Sequence, residues 1–149
     1  MDLSSTYTFD APRQVVWDLL IDPTVVAGCL PGCESLEPTG DDSYTAVLMV
    51  GIASITGRYD ARVTLADKVE PESYRLVVDA KGRPGFVRGE AHIKLADGTD
   101  GQTVVSVDGH GHLGGMIARV GQRLVGTVGK TMMDRFFDCL SKKSSAVSS

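Results

Sequence analysis

Three histidines raise the question of a metal site. His110 and His112 are two residues apart in a strand-like stretch, so their imidazoles would share one face, as zinc ligands can. His92 lies on the preceding predicted strand, and we expect its pairing partner to be close to Ser106. His110 would then lie about 13 Å away along the sheet. We therefore predict surface histidines and no metal site.

Two glycine motifs would be typical of phosphate binding in another setting. Residues 109–114 read G-x-G-x-x-G where a predicted strand meets a predicted helix, which is the local pattern of a dinucleotide site. That site also needs a parallel strand after the helix, whereas this helix is predicted to run towards the end of the chain. Gly129-Lys130-Thr131 resembles a phosphate-binding loop, but Leu124 stands where its first glycine is required. We expect no nucleotide, and interpret the first motif as a tight strand-to-helix corner.

The cysteines bear on the compartment of the protein. Cys29, Cys33 and Cys139 are odd in number and contain no C-x-x-C pair, so we interpret them as reduced thiols. The first residues lack the basic and apolar regions of a secretory signal, and no apolar run approaches the ~20 residues that span a bilayer. The formal net charge of −4 argues against a nucleic-acid partner. These features indicate a cytoplasmic protein.

Catalytic groups are not brought together by any pattern in the sequence. The positions predicted to face the core carry almost no ionisable side chains, and no Ser/His/Asp or Cys/His set can be assigned without assuming the geometry. A hydrolase or lyase needs convergent acids, bases or oxyanion donors. We therefore expect a binding or accessory protein rather than an enzyme.

The elements that would position a site begin with one strand and two short helices. Residues 3–9 alternate in polarity, as a half-buried strand does. Asp10-Ala11-Pro12 predicts a helix start with Asp10 as its cap, and Asp22-Pro23 predicts a second helix that ends at 30–32. From Cys33 to about His112 the chain alternates like strands, and the breaks between them predict an antiparallel meander.

The last predicted element is one long helix from Leu113 to about Leu140, with an apolar stripe at helical spacing. The predicted fold class is therefore α+β: about seven antiparallel strands curled around a long C-terminal helix, with two short helices after strand 1. We expect a single domain over residues 1–143 and a disordered, serine-rich tail over 144–149.

Such a sheet predicts an apolar cavity, because one helix is too thin to fill the hollow of six or seven curling strands. The helix is also rich in glycine, which either lets its backbone approach the sheet or keeps space open beside it. Tyr59 is the best candidate to hydrogen-bond a ligand carbonyl, since tyrosine joins an apolar body to a polar tip. The predicted cavity wall is Leu48, Val50, Tyr59, Phe86, Met116, Ile117, Val120, Gly121 and Leu124.

Three cations, Arg119, Arg123 and Lys130, follow the predicted outer face of the long helix. One interpretation is an ordinary solvated helix face. The other is a docking ridge for an acidic protein or an anionic membrane surface.

Several segments resemble the carbon monoxide dehydrogenase G-subunit family. They are Ala11-Pro12, Val16-Trp17-Asp18-Leu19-Leu20, Asp22-Pro23, Cys29-Leu30-Pro31-Gly32-Cys33-Glu34, Gly57-Arg58-Tyr59, Gly85-Phe86-Val87-Arg88-Gly89, Gly114-Gly115, Ala118, Gly121-Gln122-Arg123-Leu124 and Phe136-Phe137. The resemblance covers about residues 1–140. It implies the helix-grip fold of START-like (SRPBCC) proteins with a hydrophobic cavity. It also implies association with a molybdenum CO dehydrogenase or a related hydroxylase at the inner face of the cell membrane.

Cavity and resemblance together predict a non-catalytic carrier or adaptor. It would bind a respiratory quinone or another lipid, hold no covalent cofactor, and link the dehydrogenase to the membrane. An alternative is an enzyme of the polyketide cyclase or dehydratase type, which the same superfamily contains. A third possibility is a structural assembly protein with a filled core, which would lack a hollow of the ~300 Å³ typical of ligand sites.

Overall fold

The structure is a computed structural model that describes residues 1–51 and 55–148. Its elements in chain order are β1 (Asp2–Phe9), α1 (Arg13–Ile21), α2 (Pro23–Cys29), β2 (Cys33–Gly40), β3 (Ser43–Val50), β4 (Gly57–Val69), β5 (Ser73–Gly82), β6 (Gly85–Asp97), β7 (Thr103–Gly115), α3 (Met116–Val120) and α4 (Gln122–Ser148). The predicted order of one strand, two short helices, a series of strands and a long C-terminal helix is confirmed.

The seven strands form one antiparallel sheet in the order β1-β7-β6-β5-β4-β3-β2. Neighbours in the sheet are also neighbours in sequence, except that β1 pairs with β7 from Asp2↔His110 to Phe9↔Thr103. The core-facing side alternates with a wet side: on β4, the buried Tyr59 and Ala61 alternate with the exposed Arg58, Asp60 and Arg62. The predicted α+β class, a curled antiparallel sheet around a C-terminal helix, is confirmed.

The two short helices begin in different ways. The N-cap of α1 is Pro12 rather than Asp10, so the prediction that Asp10 caps this helix is wrong. Asp10 instead accepts a hydrogen bond from the Gln102 side-chain amide (2.7 Å), which ties the end of β1 to the β6–β7 connection. The prediction for α2 is confirmed: Asp22 accepts a hydrogen bond from the backbone N–H of Thr24 (2.9 Å), and Pro23 is the first helical residue.

The long helix begins at Gln122 rather than at Leu113. β7 continues to Gly115 because its last residues pair with the start of β6, as far as Gly85↔Gly115. A separate helix of five residues, α3, then lies between Gly115 (φ 71°) and Gly121 (φ 96°). Only glycine adopts such backbone angles at little cost, so both positions break the helix. The prediction of one helix from Leu113 is therefore wrong, and the strand-to-helix corner lies at Gly115.

The end of α4 also differs from the prediction. We expected a disordered tail from Ser144, whereas the helix continues to Ser148. Ser144 is buried, and its hydroxyl donates to the Ser141 carbonyl (2.8 Å). Among the helices that the structure describes, none combines the length and the apolar composition that crossing a bilayer requires.

The apolar core is divided into two main clusters. The lower cluster packs α1, α2 and the second half of α4 against the sheet, with Phe9, Val16, Trp17, Val105 and Leu140 at its centre. The upper cluster has Ile55, Tyr59, Ile117, Val125 and Val128 as its buried members, and lies where α3 and the first half of α4 meet the sheet. Domains usually have one main core with smaller satellite clusters, and here the upper cluster is the satellite beside α3 and the first half of α4.

A disulfide joins Cys29 at the end of α2 to Cys139 on α4, with Cα atoms 5.5 Å apart. The prediction of three reduced thiols is therefore wrong for this pair, while Cys33 is a free cysteine. The two partners are 110 residues apart in the chain, so no local spacing announces the pairing. The packing of α2 against α4 brings them together.

Candidate ligand site

The upper cluster is the part of the core where most of the predicted cavity residues lie. β4 supplies Tyr59, α3 supplies Ile117, and the first turns of α4 supply Val125 and Val128. Half-buried neighbours surround this centre: Met1, Leu48, Val50, Val87, Leu113, Val120, Leu124 and Met132. The cluster therefore has a dry interior and a border that solvent partly reaches.

Tyr59 brings a hydroxyl group into the upper cluster. The residue is only 6% exposed, and its hydroxyl donates to the Ile55 carbonyl at 2.6 Å. Burial raises the pKa of Tyr59, so the phenol stays neutral at physiological pH. A ligand carbonyl would compete with Ile55 for this proton, whereas a ligand hydroxyl could donate to the phenol oxygen without breaking the existing bond.

Three alanines lie side by side on the core-facing side of the sheet; we call them the alanine row. Ala61 on β4 pairs with Ala46 on β3 and with Ala80 on β5. The row packs with Leu36 and Val78 as a third cluster, separate from the other two. Along β4, Ala61 stands between Tyr59 of the upper cluster and Leu65 of the lower cluster. Alanine side chains end at Cβ and extend only a short way from the sheet. At the alanine row, the side chains of the sheet therefore occupy little of the space between the sheet and the helices.

Six of the nine predicted wall residues belong to the upper cluster: Leu48, Val50, Tyr59, Ile117, Val120 and Leu124. The structure places Met116 and Gly121 elsewhere. Met116 is 52% exposed on α3. Gly121 is the break between α3 and α4, and nothing lies within 4 Å of the position that a Cβ would take there.

Phe86, the remaining predicted wall residue, lies on the outer face of the sheet. Its neighbour Val87 packs in the upper cluster, and successive side chains of a strand point to opposite faces. The Arg88 guanidinium lies over the Phe86 ring at 4.8 Å from its centre, and the ring leaves no room for a side chain at Gly114. The alternation of β6 was the signal that would have excluded Phe86 from the wall.

Sequence reasoning missed three buried members of the site, namely Ile55, Val125 and Val128. The two valines are three residues apart on α4 and face the sheet together. Val128 belongs to the apolar stripe of the predicted helix, whereas Val125 does not, and neither was assigned to the predicted cavity wall. Ile55 lies between β3 and β4, outside any predicted periodicity, and no signal in the sequence marks it.

An open groove of about 540 Å³ separates the start of β1 from α4. It is lined by Met1, Asp2, Leu3, Arg123, Gly126, Thr127, Lys130 and Thr131. The glycines of α4 here show both expected effects: a Cβ on Gly129 would lie 3.1 Å from Leu3, whereas Gly126 faces open space. A smaller hollow of about 100 Å³ includes Arg75 and His92. Neither hollow is the enclosed apolar cavity expected from the sequence, which stays a prediction.

The three cations of the predicted docking ridge do not form one surface. Arg119 is exposed on α3, beyond the break at Gly121. Arg123 and Lys130 both line the groove, but the Lys130 ammonium is 2.5 Å from the Asp134 carboxylate, which lowers the pKa of Asp134 and offsets the charge. Tyr7 donates a second hydrogen bond to that carboxylate (2.7 Å).

The histidines lie closer together than predicted. His92 pairs with Asp108 rather than with a residue next to Ser106, so the register differs by two residues. His110 faces Glu90, with 3.8 Å between Nε2 and Oε1. Within residues 1–51 and 55–148, no three His, Cys, Asp or Glu side chains are arranged to hold a metal ion.

We compared the sequence and the structure with known proteins. The model of the CoxG family, the G subunit of carbon monoxide dehydrogenase, matches residues 6–145. No curated protein matches the sequence. Among solved structures, a conserved protein from Geobacillus kaustophilus is 34% identical, with a TM-score of 0.94 over 98% of this chain and 96% of that one.

Two more distant structures share the fold. A START superfamily protein from Mycobacterium smegmatis has a TM-score of 0.76 at 10% identity, over 98% of each chain. The di-domain ARO/CYC StfQ of the steffimycin biosynthetic pathway has a TM-score of 0.64 at 16% identity, over 95% of this chain and 44% of that one. The predicted START-like, helix-grip fold is thus confirmed. Because the family model spans nearly the whole chain, this protein belongs to the carbon monoxide dehydrogenase G-subunit (CoxG) family.

Proposed function

We propose that this protein is a non-catalytic carrier that binds a hydrophobic ligand, a respiratory quinone or another lipid, and serves a molybdenum CO dehydrogenase-type enzyme. The ligand would lie between the sheet and α4, next to the upper cluster. The binding residues would be Leu48, Val50, Tyr59, Ile117, Val120 and Leu124, with Val125 and Val128 beside them.

The observation that carries this proposal is the divided core. Two apolar clusters are separated on the sheet by the alanine row, where the side chains are the smallest that a strand can bury apart from glycine. Ligand sites in proteins are mostly apolar hollows with a few placed polar groups. Tyr59 supplies such a group at the edge of the alanine row.

The family and the chemistry support the proposed partner. A dehydrogenase that oxidises a small substrate must pass its electrons on, and a quinone is an apolar acceptor that needs a carrier to leave the bilayer. A START-like domain that takes the quinone from the membrane would thereby link the enzyme to the membrane. This role requires no covalent cofactor and no catalytic group in the carrier.

The proposal is tested by measuring whether the protein binds a quinone or lipid. Native protein purified from cells is extracted with organic solvent, and the extract is analysed for quinones and lipids by mass spectrometry. Purified protein is then mixed with a short-tailed quinone, and co-elution in gel filtration is measured. We expect about one quinone or lipid per chain. An extract without either, together with no co-elution, would contradict the proposal.

A matched pair of variants locates the site. Ala61→Leu extends a side chain from the alanine row, and we expect it to lower quinone co-elution at least severalfold. Ala96→Leu makes the same change at an exposed position of β6 and should leave binding unchanged. Equal binding by the two variants would place the ligand elsewhere.

An enzyme of the cyclase type is the second candidate, favoured by the shared fold of the ARO/CYC protein StfQ. Cyclisation or dehydration needs an acid and a base inside the pocket. Among the described residues, the buried polar or charged ones are Thr103 and Ser144, and the buried tyrosines are Tyr59 and Tyr74. These groups support binding better than proton transfer. Turnover of a polyketide by the purified protein that Tyr59→Phe abolishes would favour the enzyme instead.

A further inference from the structure

We infer that the protein docks on an anionic membrane surface with one end of its sheet. This basic end consists of the last residues of β3, the first residues of β4, the β5–β6 turn, and the junction of β7, α3 and α4. The antiparallel register brings these parts to the same end: Val50 pairs with Gly57, Gly82 with Gly85, and Gly85 with Gly115. The inference rests on the proposed function and identifies the face through which a lipid or quinone would pass.

Cations outnumber carboxylates at this end although the whole chain carries a formal net charge of −4. The nearest carboxylates are Asp60, in register with Lys81, Asp79, in register with Arg88, and Asp2, which lines the groove with Arg123. Five exposed cations belong to the basic end: Arg58, Lys81, Arg83, Arg119 and Arg123. Among the described residues, no carboxylate lies within ion-pair distance of any of the five; the only cation of this end with such a partner is Arg88, which is 3.6 Å from Asp79. Residues 80–89 and 109–133 contain no Asp or Glu at all.

The opposite end of the sheet is acidic. Its three turns and the strand residues next to them carry Asp41, Asp42, Asp67, Glu70, Glu72, Asp97 and Asp100. Lys68, Arg75 and Arg13 pair there with Asp42 (2.7 Å), Asp67 (3.0 Å) and Asp97 (3.1 Å), respectively. Carboxylates therefore remain in excess at this end. A negatively charged surface therefore attracts one end of the molecule and repels the other, which fixes the orientation in which the protein approaches.

Exposed methionines favour a lipid surface over an acidic protein. Met49 and Met116 are 43% and 52% exposed, and both lie at the basic end. Met49 pairs across the sheet with Arg58, and Met116 is the first residue of α3, three residues before Arg119. Apolar side chains set among arginines match the boundary between acyl chains and anionic headgroups. The same end holds Ile117 of the upper cluster, so a hydrophobic ligand would have a short path from bilayer to site.

This assignment changes the docking set expected from the sequence. Arg119 and Arg123 remain in it, and Arg58, Lys81 and Arg83 join them. Lys130 leaves it, because it lies along α4 and Asp134 offsets its charge.

The experiment is sedimentation of the full chain with phosphatidylcholine vesicles, with and without phosphatidylglycerol. We expect binding to the anionic vesicles, weakened as salt is raised, and far weaker binding to the neutral ones. The double variant R83Q/R119Q should bind anionic vesicles about 25-fold more weakly, from about fivefold for each arginine near the surface. Met116→Gln should weaken binding without changing its salt dependence.

The control is K94Q/K143Q, which removes the same charge from exposed positions away from the basic end. Equal binding to neutral and anionic vesicles, or equal losses in the two double variants, would overturn the inference. Binding to polyglutamate but not to anionic vesicles would assign the surface to an acidic protein and also overturn it. Quinone co-elution is measured without vesicles, so carrier function and membrane docking fail independently of each other.

Discussion

Tyr59 is the residue on which the chemistry of the candidate site depends most directly. Its side chain is buried, its phenol is neutral because burial raises its pKa, and its proton is donated to the Ile55 carbonyl at 2.6 Å. The sequence predicted Tyr59 as a polar contact for a ligand. The structure adds that the hydroxyl is already in use, so its first effect is to hold the segment before β4 onto the strand.

Tyr59→Phe tests this role in the protein without ligand. The substitution keeps the ring but leaves the Ile55 carbonyl without its donor, so we expect the free energy of unfolding in urea to fall by about 1–2 kcal/mol. Tyr44→Phe is the matched control, since Tyr44 is half-buried and packs against the lower cluster. A loss no larger for Tyr59→Phe than for Tyr44→Phe would show that the bond to Ile55 contributes little.

Among the elements, the strands, the two short helices and the presence of a long C-terminal helix were predictable, whereas the start of that helix and the separate α3 were not. Polar–apolar alternation and Gly- or Pro-containing breaks located β2 to β7, because a strand with one wet face must alternate. The start of α4 was missed because residues 113–121 contain apolar residues at helical spacing, which predicts a helix. As far as Gly115, however, pairing with β6 makes these residues part of a strand. The periodicity of a local sequence carries no information about pairing with a distant strand.

The disulfide between α2 and α4 is likewise a product of packing between elements. It closes a loop of 110 residues, and removing such a bond typically costs about 2–5 kcal/mol. We therefore expect C29S/C139S to unfold at a lower urea concentration than the native protein. Cys33→Ser, at the free and half-buried cysteine, should change the midpoint little. If a reducing agent leaves the midpoint of the native protein unchanged, the bond is not formed in solution.

For the molecule as a whole, the fold could be predicted from the sequence, but the packing of the interior could not. Curled strands and one helix predicted a hollow, and six of nine predicted wall residues do gather in one cluster. Phe86 is not part of this cluster, because the alternation of β6 assigns it to the outer face of the sheet. The alanine row was visible only as three separate alanines, since register alone brings Ala46, Ala61 and Ala80 side by side.

Ala61→Leu in the ligand-free protein distinguishes an interior with room from a filled one. If space lies in front of the alanine row, the added methylenes gain burial and the free energy of unfolding rises by up to about 2 kcal/mol. In a close-packed interior the same change forces strain and costs about 1–3 kcal/mol. Ala11→Leu provides the reference for the filled case, because Ala11 is 2% exposed within the lower cluster. We expect opposite signs for the two variants in urea unfolding. Equal losses would mean that the divided core is packed throughout, and the carrier proposal would then lack the space on which it depends.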